Sequence, residues 1–121
     1  MAANLTEVGE FEASLNTLLG TTFPSLKIYQ SDGLKAHLIK RKHFDCLKHL
    51  SDVPDIIANP DYVGVSPTEP DSLEYIKVYD KNIMIGVKLD TSGDYLYVAS
   101  MYSVQESKVQ RRLHSGRLKR P

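Results

Sequence analysis

Residues 72–90 read SLEYIKVYDKNIMIGVKLD, and this stretch decides the fold. Its apolar residues alternate or run almost continuously on either side of the polar residues 80–82, which predicts two strands joined by a tight turn. Residues 94–102, DYLYVASMY, form a third such run after a short loop that contains glycine. Short connections force neighbouring strands to be antiparallel. We therefore predict a three-stranded meander here, with residues 62–65 as an additional edge strand.

The first half of the chain has a helical pattern instead. Apolar residues within 4–19 recur with a period near 3.6 and Gly20 follows them, so residues 1–20 are predicted to contain an N-terminal helix. Residues 26–29 are predicted to be extended, and further helical segments are predicted over 32–42, from 45 onward and over 51–57, with a last one near the C-terminus over 106–113. Helices first and strands later predict an α+β domain, with N-terminal helices packed on one face of a four-stranded antiparallel sheet.

The composition is that of an ordinary globular chain. It has 121 residues, of which 41% are hydrophobic and 25% charged, and this suits a single domain over residues 1–121. No apolar stretch approaches the ~18 residues that a membrane-spanning helix needs. The N-terminal residues lack the pattern of a secretion signal, so we expect a cytoplasmic protein that does not bind a membrane. Cys46 is the single cysteine, which excludes an internal disulfide.

The formal net charge is zero, but the charges are unevenly distributed. Residues 35–43 (KAHLIKRKH) hold four Lys or Arg and two His without an acid, and the basic C-terminal segment 108–121 holds six Lys or Arg without an acid. If the two runs meet in space, they form a positive surface that suits a polyanion. The alternative is a solvated helix face and an exposed tail.

One side of the predicted helix over 32–42 carries reactive and cationic groups. His37, Lys40, Arg41 and Phe44 are spaced i, i+3, i+4 and i+7, which places them on one helix face. An imidazole accepts a proton near neutral pH, and two cations beside it can hold a phosphate. The alternative is a surface histidine among solvated cations.

The third predicted strand contributes two hydroxyl groups. Ser100 and Tyr102 are two residues apart, so they share a face, and Leu96 and Val98 are predicted to precede them on that face. The hydroxyls can bind a phosphate or orient a sugar; alternatively, Tyr102 belongs to the core with its hydroxyl at the rim.

Other chemical signals are weak. Glu74 and Lys77 lie on opposite faces of their strand, and either can be an ordinary solvent-facing residue. The sequence has no nucleophile elbow, no phosphate-binding glycine loop and no metal-ligand spacing, so neither a metal nor another cofactor is expected.

Five stretches taken together resemble a group of nucleases. They are GLKAHLIKRKH (33–43), DIIANPDYVG (55–64), the stretch 72–90, LYVASMYS (96–103) and SGRLKR (115–120). Their order is similar to that of phage- and mobile-element-associated members of the barnase–EndoU–colicin–RelE (BECR) fold superfamily. The resemblance implies helices on a four-stranded antiparallel sheet. It also implies a metal-independent ribonuclease, in which the ribose 2′-hydroxyl attacks the adjacent phosphorus and leaves a cyclic phosphate.

The resemblance also implies site residues. His37 corresponds to the helix histidine of the group, and Arg41 and His43 lie in the basic stretch that follows it. Ser100 and Tyr102 correspond to the small hydroxyl and the aromatic residue of the late strand.

On this basis each group has an expected role. His37 is the expected general base, and His43 or Tyr102 is the general acid. Arg41, together with Lys40 or Arg117, stabilises the charge that develops on the phosphorane. Contacts with the substrate are expected from Lys40, Lys42, Lys77, Arg112 and Arg117.

These expectations describe a small endoribonuclease, a phage or toxin effector. RNA, with tRNA as one instance, is the expected substrate, and an antitoxin or immunity protein is the expected partner. The alternative is a non-catalytic module of the same fold that binds RNA or a protein. A third hypothesis is a structural domain without a nucleic-acid role.

Overall fold

The computed structural model describes residues 4–69 and 71–121, which form one mixed sheet with helices on both faces. The strands are β1 (Leu5–Glu10), β2 (Lys27–Ser31), β3 (Tyr62–Val65), β4 (Ser72–Val78), β5 (Asn82–Leu89), β6 (Leu96–Val104) and β7 (Leu118–Lys119). The helices are α1 (Leu15–Leu19), α2 (Leu34–Lys40), α3 (Phe44–Leu47), α4 (Val53–Ala58) and α5 (Glu106–Ser115), with a 3-10 turn at Leu50–Asp52.

The strand order is β1-β2-β6-β5-β4-β3-β7. The antiparallel meander of β4, β5 and β6 is confirmed, and β3 pairs antiparallel with β4 as expected. The predicted four-stranded antiparallel sheet is wrong in extent, because β1, β2 and β7 enlarge it to seven strands and β2 runs parallel to β6. Nor is β3 an edge strand, since the short β7 covers its outer side.

The predicted helix over 4–19 is wrong for most of its length. Residues Leu5–Glu10 instead form β1, which pairs with β2 and is irregular between Glu7 and Gly9. Pairing with β2 outweighs the helical spacing of the apolar residues in this segment. Gly9 would weaken a helix by about 1 kcal/mol, and β2 is available as a partner in the sheet. Only Leu15–Leu19 is helical, and Gly20 ends it in the left-handed conformation (φ 69°), as predicted.

The second predicted helix ends two residues early. It stops at Lys40, after which Lys42 adopts a left-handed backbone (φ 58°). The His43 N–H donates to the Leu38 carbonyl (2.9 Å) and the Lys42 N–H donates to the Ile39 carbonyl (3.1 Å), which is the Schellman pattern of helix ends. A single helix face therefore does not extend from α2 to the first residue of α3.

Two apolar clusters hold the sheet between its helices. On one face, α2, α3 and α4 cover the larger core, whose sheet residues include Leu73, Tyr75, Ile83, Ile85, Val87 and Met101. On the other face, Val109 of α5 packs against Ile76, Met84 and Val104. Because α5 covers only part of this second face, the remainder is open to solvent. In the described part of the chain, no helix has the length and apolar character to cross a membrane.

Candidate active site

A β-bulge in β6 decides which of its residues face the open side of the sheet. Val98 and Ser100 pair with successive residues of β5, so Ala99 is an extra residue between them. Successive residues of β5 point to opposite faces, and the bulge therefore turns Val98 into the larger core and Ser100 to the open face. The prediction that Leu96 and Val98 share a face with Ser100 and Tyr102 is wrong for this reason.

The open face carries a cleft of about 540 Å³. Glu74, Gly86 and Ser100 pair in one row across β4, β5 and β6 and all line the cleft. The middle of this row has no side chain, and a Cβ on Gly86 would overlap the Ser100 hydroxyl. Gly86 therefore makes room for the Ser100 hydroxyl in the middle of this row.

A buried ion pair lies at one side of this row. The Arg112 Nη1 atom of α5 donates to the Glu74 Oε1 atom at 2.7 Å, and the two side chains are 13% and 9% exposed. Burial raises the pKa of the Glu74 carboxyl, and the positive charges of Arg112 and Lys108 offset only part of this effect. Glu74 is thus a carboxylate that takes up a proton more readily than an exposed one. Arg112 keeps further N–H donors for an anion.

Tyr102 lies beside the ion pair on the same face. It belongs to the next row, where it pairs with Met84, and its ring is partly buried against the second apolar cluster. Burial raises the pKa of the Tyr102 phenol, the charge of Glu74 adds to this effect, and Arg112 opposes it. The phenol therefore stays protonated at neutral pH and is available as a hydrogen-bond donor in the cleft.

β2 pairs with β6 only at Leu96 and Tyr97. His43 lies next to Tyr102, in the part of β6 that β2 does not cover. The two ring centroids are 6.4 Å apart, and His43 Nδ1 is 3.1 Å from the Met101 carbonyl oxygen. A carbonyl only accepts, so Nδ1 must carry the proton in this contact, and Nε2 is left as the site of proton exchange. The left-handed backbone at Lys42 ends α2, and His43 is the residue that precedes α3. This turn therefore sets the position of the His43 ring.

Of the five expected catalytic residues, Ser100 and Tyr102 line the cleft, and His43 lies beside Tyr102 without lining it. The other two, His37 and Arg41, lie on exposed surface at and just after the C-terminal end of α2. Within residues 4–69 and 71–121, the lining of the cleft includes none of the residues of the basic run, namely His37, Lys40, Arg41, Lys42 and His43.

The expected substrate-contacting residues are distributed over both faces. Arg112 reaches the cleft through Glu74, as described above. Lys77 points to the opposite face, where its Nζ donates to the Asn59 carbonyl (2.7 Å) and lies 3.8 Å from Asp55. Arg117 is exposed just beyond α5.

The sequence pattern does not single out Glu74 as a candidate site residue. The strand pattern allows an ordinary solvent-facing residue at this position, whereas Glu74 is 7% exposed. The available signal was its position within the run Leu73 to Ile76, because a charge that interrupts a buried strand must be paired. Among the residues that the structure describes, no three His, Cys, Asp or Glu side chains group as a metal site.

The cleft and its residues fall almost entirely within a region that matches a known family. No curated protein and no solved structure matches the chain. Residues 6–111 match the family model described as phage-Barnase-EndoU-ColicinE5/D-RelE like nuclease3, and they include Glu74, Ser100, Tyr102 and His43, while Arg112 directly follows. This match over most of the chain confirms the resemblance to BECR nucleases, and the protein belongs to the phage-Barnase-EndoU-ColicinE5/D-RelE like nuclease3 family.

Proposed function

We propose that this protein is an endoribonuclease that cleaves single-stranded RNA in the cleft over Gly86. The observation that carries the proposal is the Glu74–Arg112 pair, 2.7 Å between Oε1 and Nη1, in which Glu74 shares the cleft lining with Ser100 and the protonated Tyr102. Ribose-assisted cleavage of a phosphodiester uses a general base, a general acid and a cation that stabilises the phosphorane, and a carboxylate with a raised pKa, an imidazole and a guanidinium can supply these roles.

Glu74 is the proposed general base. Its carboxylate accepts the proton of the ribose 2′-hydroxyl while the 2′-oxygen attacks the adjacent phosphorus. Burial supports this role, because a carboxyl whose pKa is raised holds the transferred proton better than an exposed one. Arg112 stabilises the charge on the phosphoryl oxygens with the N–H groups that do not contact Glu74.

His43 is the proposed general acid. Its Nδ1–H is held by the Met101 carbonyl, so Nε2 delivers a proton to the 5′-oxygen as the P–O5′ bond breaks. The products are a cyclic phosphate and a free 5′-hydroxyl, with Glu74 protonated and His43 neutral. Exchange of both protons with water restores the starting state. Tyr102 and Ser100 donate hydrogen bonds to the phosphate or the ribose.

This proposal differs from the sequence-based expectation in the source of the imidazole. The sequence favours His37 as the base, but its side chain is exposed on α2, and neither histidine is part of the cleft lining. His43 lies 6.4 Å from the Tyr102 ring, measured between centroids. The two histidines therefore form a matched pair of variants that separates the two assignments.

The experiment measures cleavage of a mixed-sequence single-stranded RNA and of a tRNA pool, in EDTA. His43→Asn keeps a donor for the Met101 carbonyl but removes Nε2, and Glu74→Gln keeps a partner for Arg112 but removes the base. Each is expected to lower kcat/KM by about 10²- to 10⁴-fold. His37→Ala is the control and is expected to cleave at the wild-type rate. Thermal melts confirm that each variant is folded.

The products and the pH range complete the test. Mass spectrometry is expected to find 2′,3′-cyclic phosphate ends, and an RNA with a 2′-deoxyribose at the cleavage site is expected to remain intact. Loss of cleavage in His37→Ala alone would return the assignment to α2. RNA binding without cleavage by the wild-type protein between about pH 5 and pH 9 would replace the enzyme by the non-catalytic binding module.

A further inference from the structure

The turn from α2 to α3 presents an exposed aromatic ring among cations. Phe44, the first residue of α3, is 58% exposed, and Ile39 is 48% exposed on the same turn. Lys40, Arg41 and Lys42 are all exposed, and none of them forms an ion pair with any residue that the structure describes. We refer to residues 39–44 as the basic turn.

The acid nearest in sequence does not neutralise the basic turn. Asp45 directs its carboxylate to Lys81 (3.4 Å), which lies in the β4–β5 connection. A hydrogen bond from Ser103 and the charge of Lys81 lower the pKa of Asp45, against the effect of burial. The positive charge of the basic turn is therefore available to an anionic ligand.

The backbone holds the basic turn in one arrangement. Lys42 is the single described non-glycine residue with positive φ, and the two Schellman hydrogen bonds at Leu38 and Ile39 lock it. His43 follows directly, and its ring is fixed by the Met101 carbonyl. The Cα atom of Phe44 is then about 3.8 Å from that of His43. The exposed Phe44 thus directly follows the histidine whose ring centroid is 6.4 Å from that of Tyr102, a residue that lines the cleft.

We propose that the basic turn is a binding site for the nucleotide on the 3′ side of the scissile phosphate, with the base stacked on Phe44 and the following phosphates contacted by Lys40, Arg41 and Lys42. An exposed aromatic ring among unpaired cations is the arrangement that recognises single-stranded nucleic acid. The charge complementarity favours RNA over an apolar protein partner, which would leave these cations buried and unpaired.

The direction along the RNA rests on the proposed function. His43 protonates the 5′-oxygen of the leaving nucleotide, which is the nucleotide on the 3′ side. Phe44 directly follows His43 in the chain, and we therefore assign it to that side, whereas Glu74 and Ser100 line the cleft and are assigned to the side of the attacking ribose. The cleft and the basic turn therefore bind successive nucleotides.

The experiment measures binding of the wild-type protein and of Phe44→Ala to short single-stranded RNAs that carry a 2′-deoxyribose at the cleavage site. In a series of otherwise identical RNAs, one abasic nucleotide is moved through every position. Phe44→Ala is expected to weaken binding of the intact RNA by about 5- to 100-fold. It is expected to have no effect when the abasic nucleotide lies directly 3′ of the cleavage site. Val78→Ala, at another exposed apolar residue, is the matched control and is expected to bind as wild type.

Salt dependence tests the cations separately. Lys40→Ala combined with Arg41→Ala is expected to reduce the slope of log K against log salt by about 0.7 for each lost phosphate contact. The control is Lys27→Ala, which removes a cation that is paired with Glu7.

Each outcome bears on the proposal separately from catalysis. Position-specific loss with Phe44→Ala supports the site even if the wild-type protein cleaves nothing, in which case only the proposed function fails. Normal RNA cleavage with unchanged binding by Phe44→Ala overturns the site and leaves the proposed function intact. An equal loss at every abasic position also overturns it, because the ring then does not stack one particular base. Tight binding of an acidic protein with no binding of RNA assigns the basic turn to a protein inhibitor instead.

Discussion

Arg112→Met is expected to destabilise the protein in a pH-dependent manner. The substitution keeps most of the apolar stem but removes the guanidinium that contacts Glu74 at 2.7 Å. Burial already raises the pKa of Glu74 above its ordinary value of 4.5, and Arg112 is the largest of the effects that oppose this. Without Arg112 the pKa rises further, because the carboxylate then loses its partner in a buried position.

The sign of the pH dependence follows from proton binding. The folded protein holds the proton of Glu74 more tightly than the unfolded chain does. The stabilisation from this group is therefore complete below the unfolded-state pKa of about 4.5, and it is lost as the pH rises through the folded-state pKa. In Arg112→Met this loss is larger and extends to higher pH, so the variant is weakest at neutral and alkaline pH.

The magnitude follows from the burial of the pair. Breaking a buried ion pair by removing one partner costs about 3–5 kcal/mol, and the residual exposures of 13% and 9% favour the lower limit. We therefore expect about 3 kcal/mol near pH 7. Near pH 4 the carboxyl is neutral and only a hydrogen bond is lost, which is about 1 kcal/mol. The neutral-pH loss corresponds to a decrease in Tm of roughly 10 °C for a domain of this size.

Urea unfolding followed by circular dichroism, at intervals from about pH 4 to about pH 8, measures these differences. The double variant Glu74→Gln/Arg112→Met has no charge at either position and is expected to lose the additional pH dependence. An equal destabilisation of Arg112→Met at both ends of the pH range would refute the reasoning, because the charge of Glu74 would then not be its cause.

Two further predictions concern the backbone of the site. Gly86→Ala is expected to destabilise the protein by about 1–3 kcal/mol, because the added Cβ overlaps the Ser100 hydroxyl. Adding Ser100→Ala is expected to restore most of this stability, measured by urea unfolding. No recovery would show that the hydroxyl is not the cause of the loss. Lys42→Gly is expected to stabilise the protein by about 0.5–1 kcal/mol, since glycine adopts φ 58° without a Cβ conflict; a lower Tm would contradict the strain inferred at this turn.

The strands of the second half were predictable because their signals are local. The runs around residues 72–90 and 94–102 have the period of two, and their short connections permit only antiparallel neighbours. The helix from Glu106 likewise appears where the sequence predicts it. The first half was less predictable, since residues 5–10 have an apolar spacing that suits a helix, and only the presence of β2 as a partner makes them a strand.

The candidate site was predictable in its residue types but only partly in its members. Ser100, Tyr102, His43 and Arg112 were all expected to take part, whereas Glu74 was not. The spacing of His37 suggested a catalytic helix face, yet spacing along a helix does not reveal which face turns to the substrate. That orientation depends on how α2 packs against the sheet through Leu38.

By itself the sequence determined the α+β class, the meander, the two basic runs and the similarity to BECR nucleases. Each of these depends only on residues that are close together in the chain or on the order of short motifs. The tertiary structure alone decided the seven-stranded order, the bulge at Ala99 and the meeting of Glu74 with Arg112, which are separated by 38 positions along the chain. The physical reason is that strand pairing and ion pairing between distant residues depend on which surfaces are left unburied once the core has formed, and no local pattern encodes that competition.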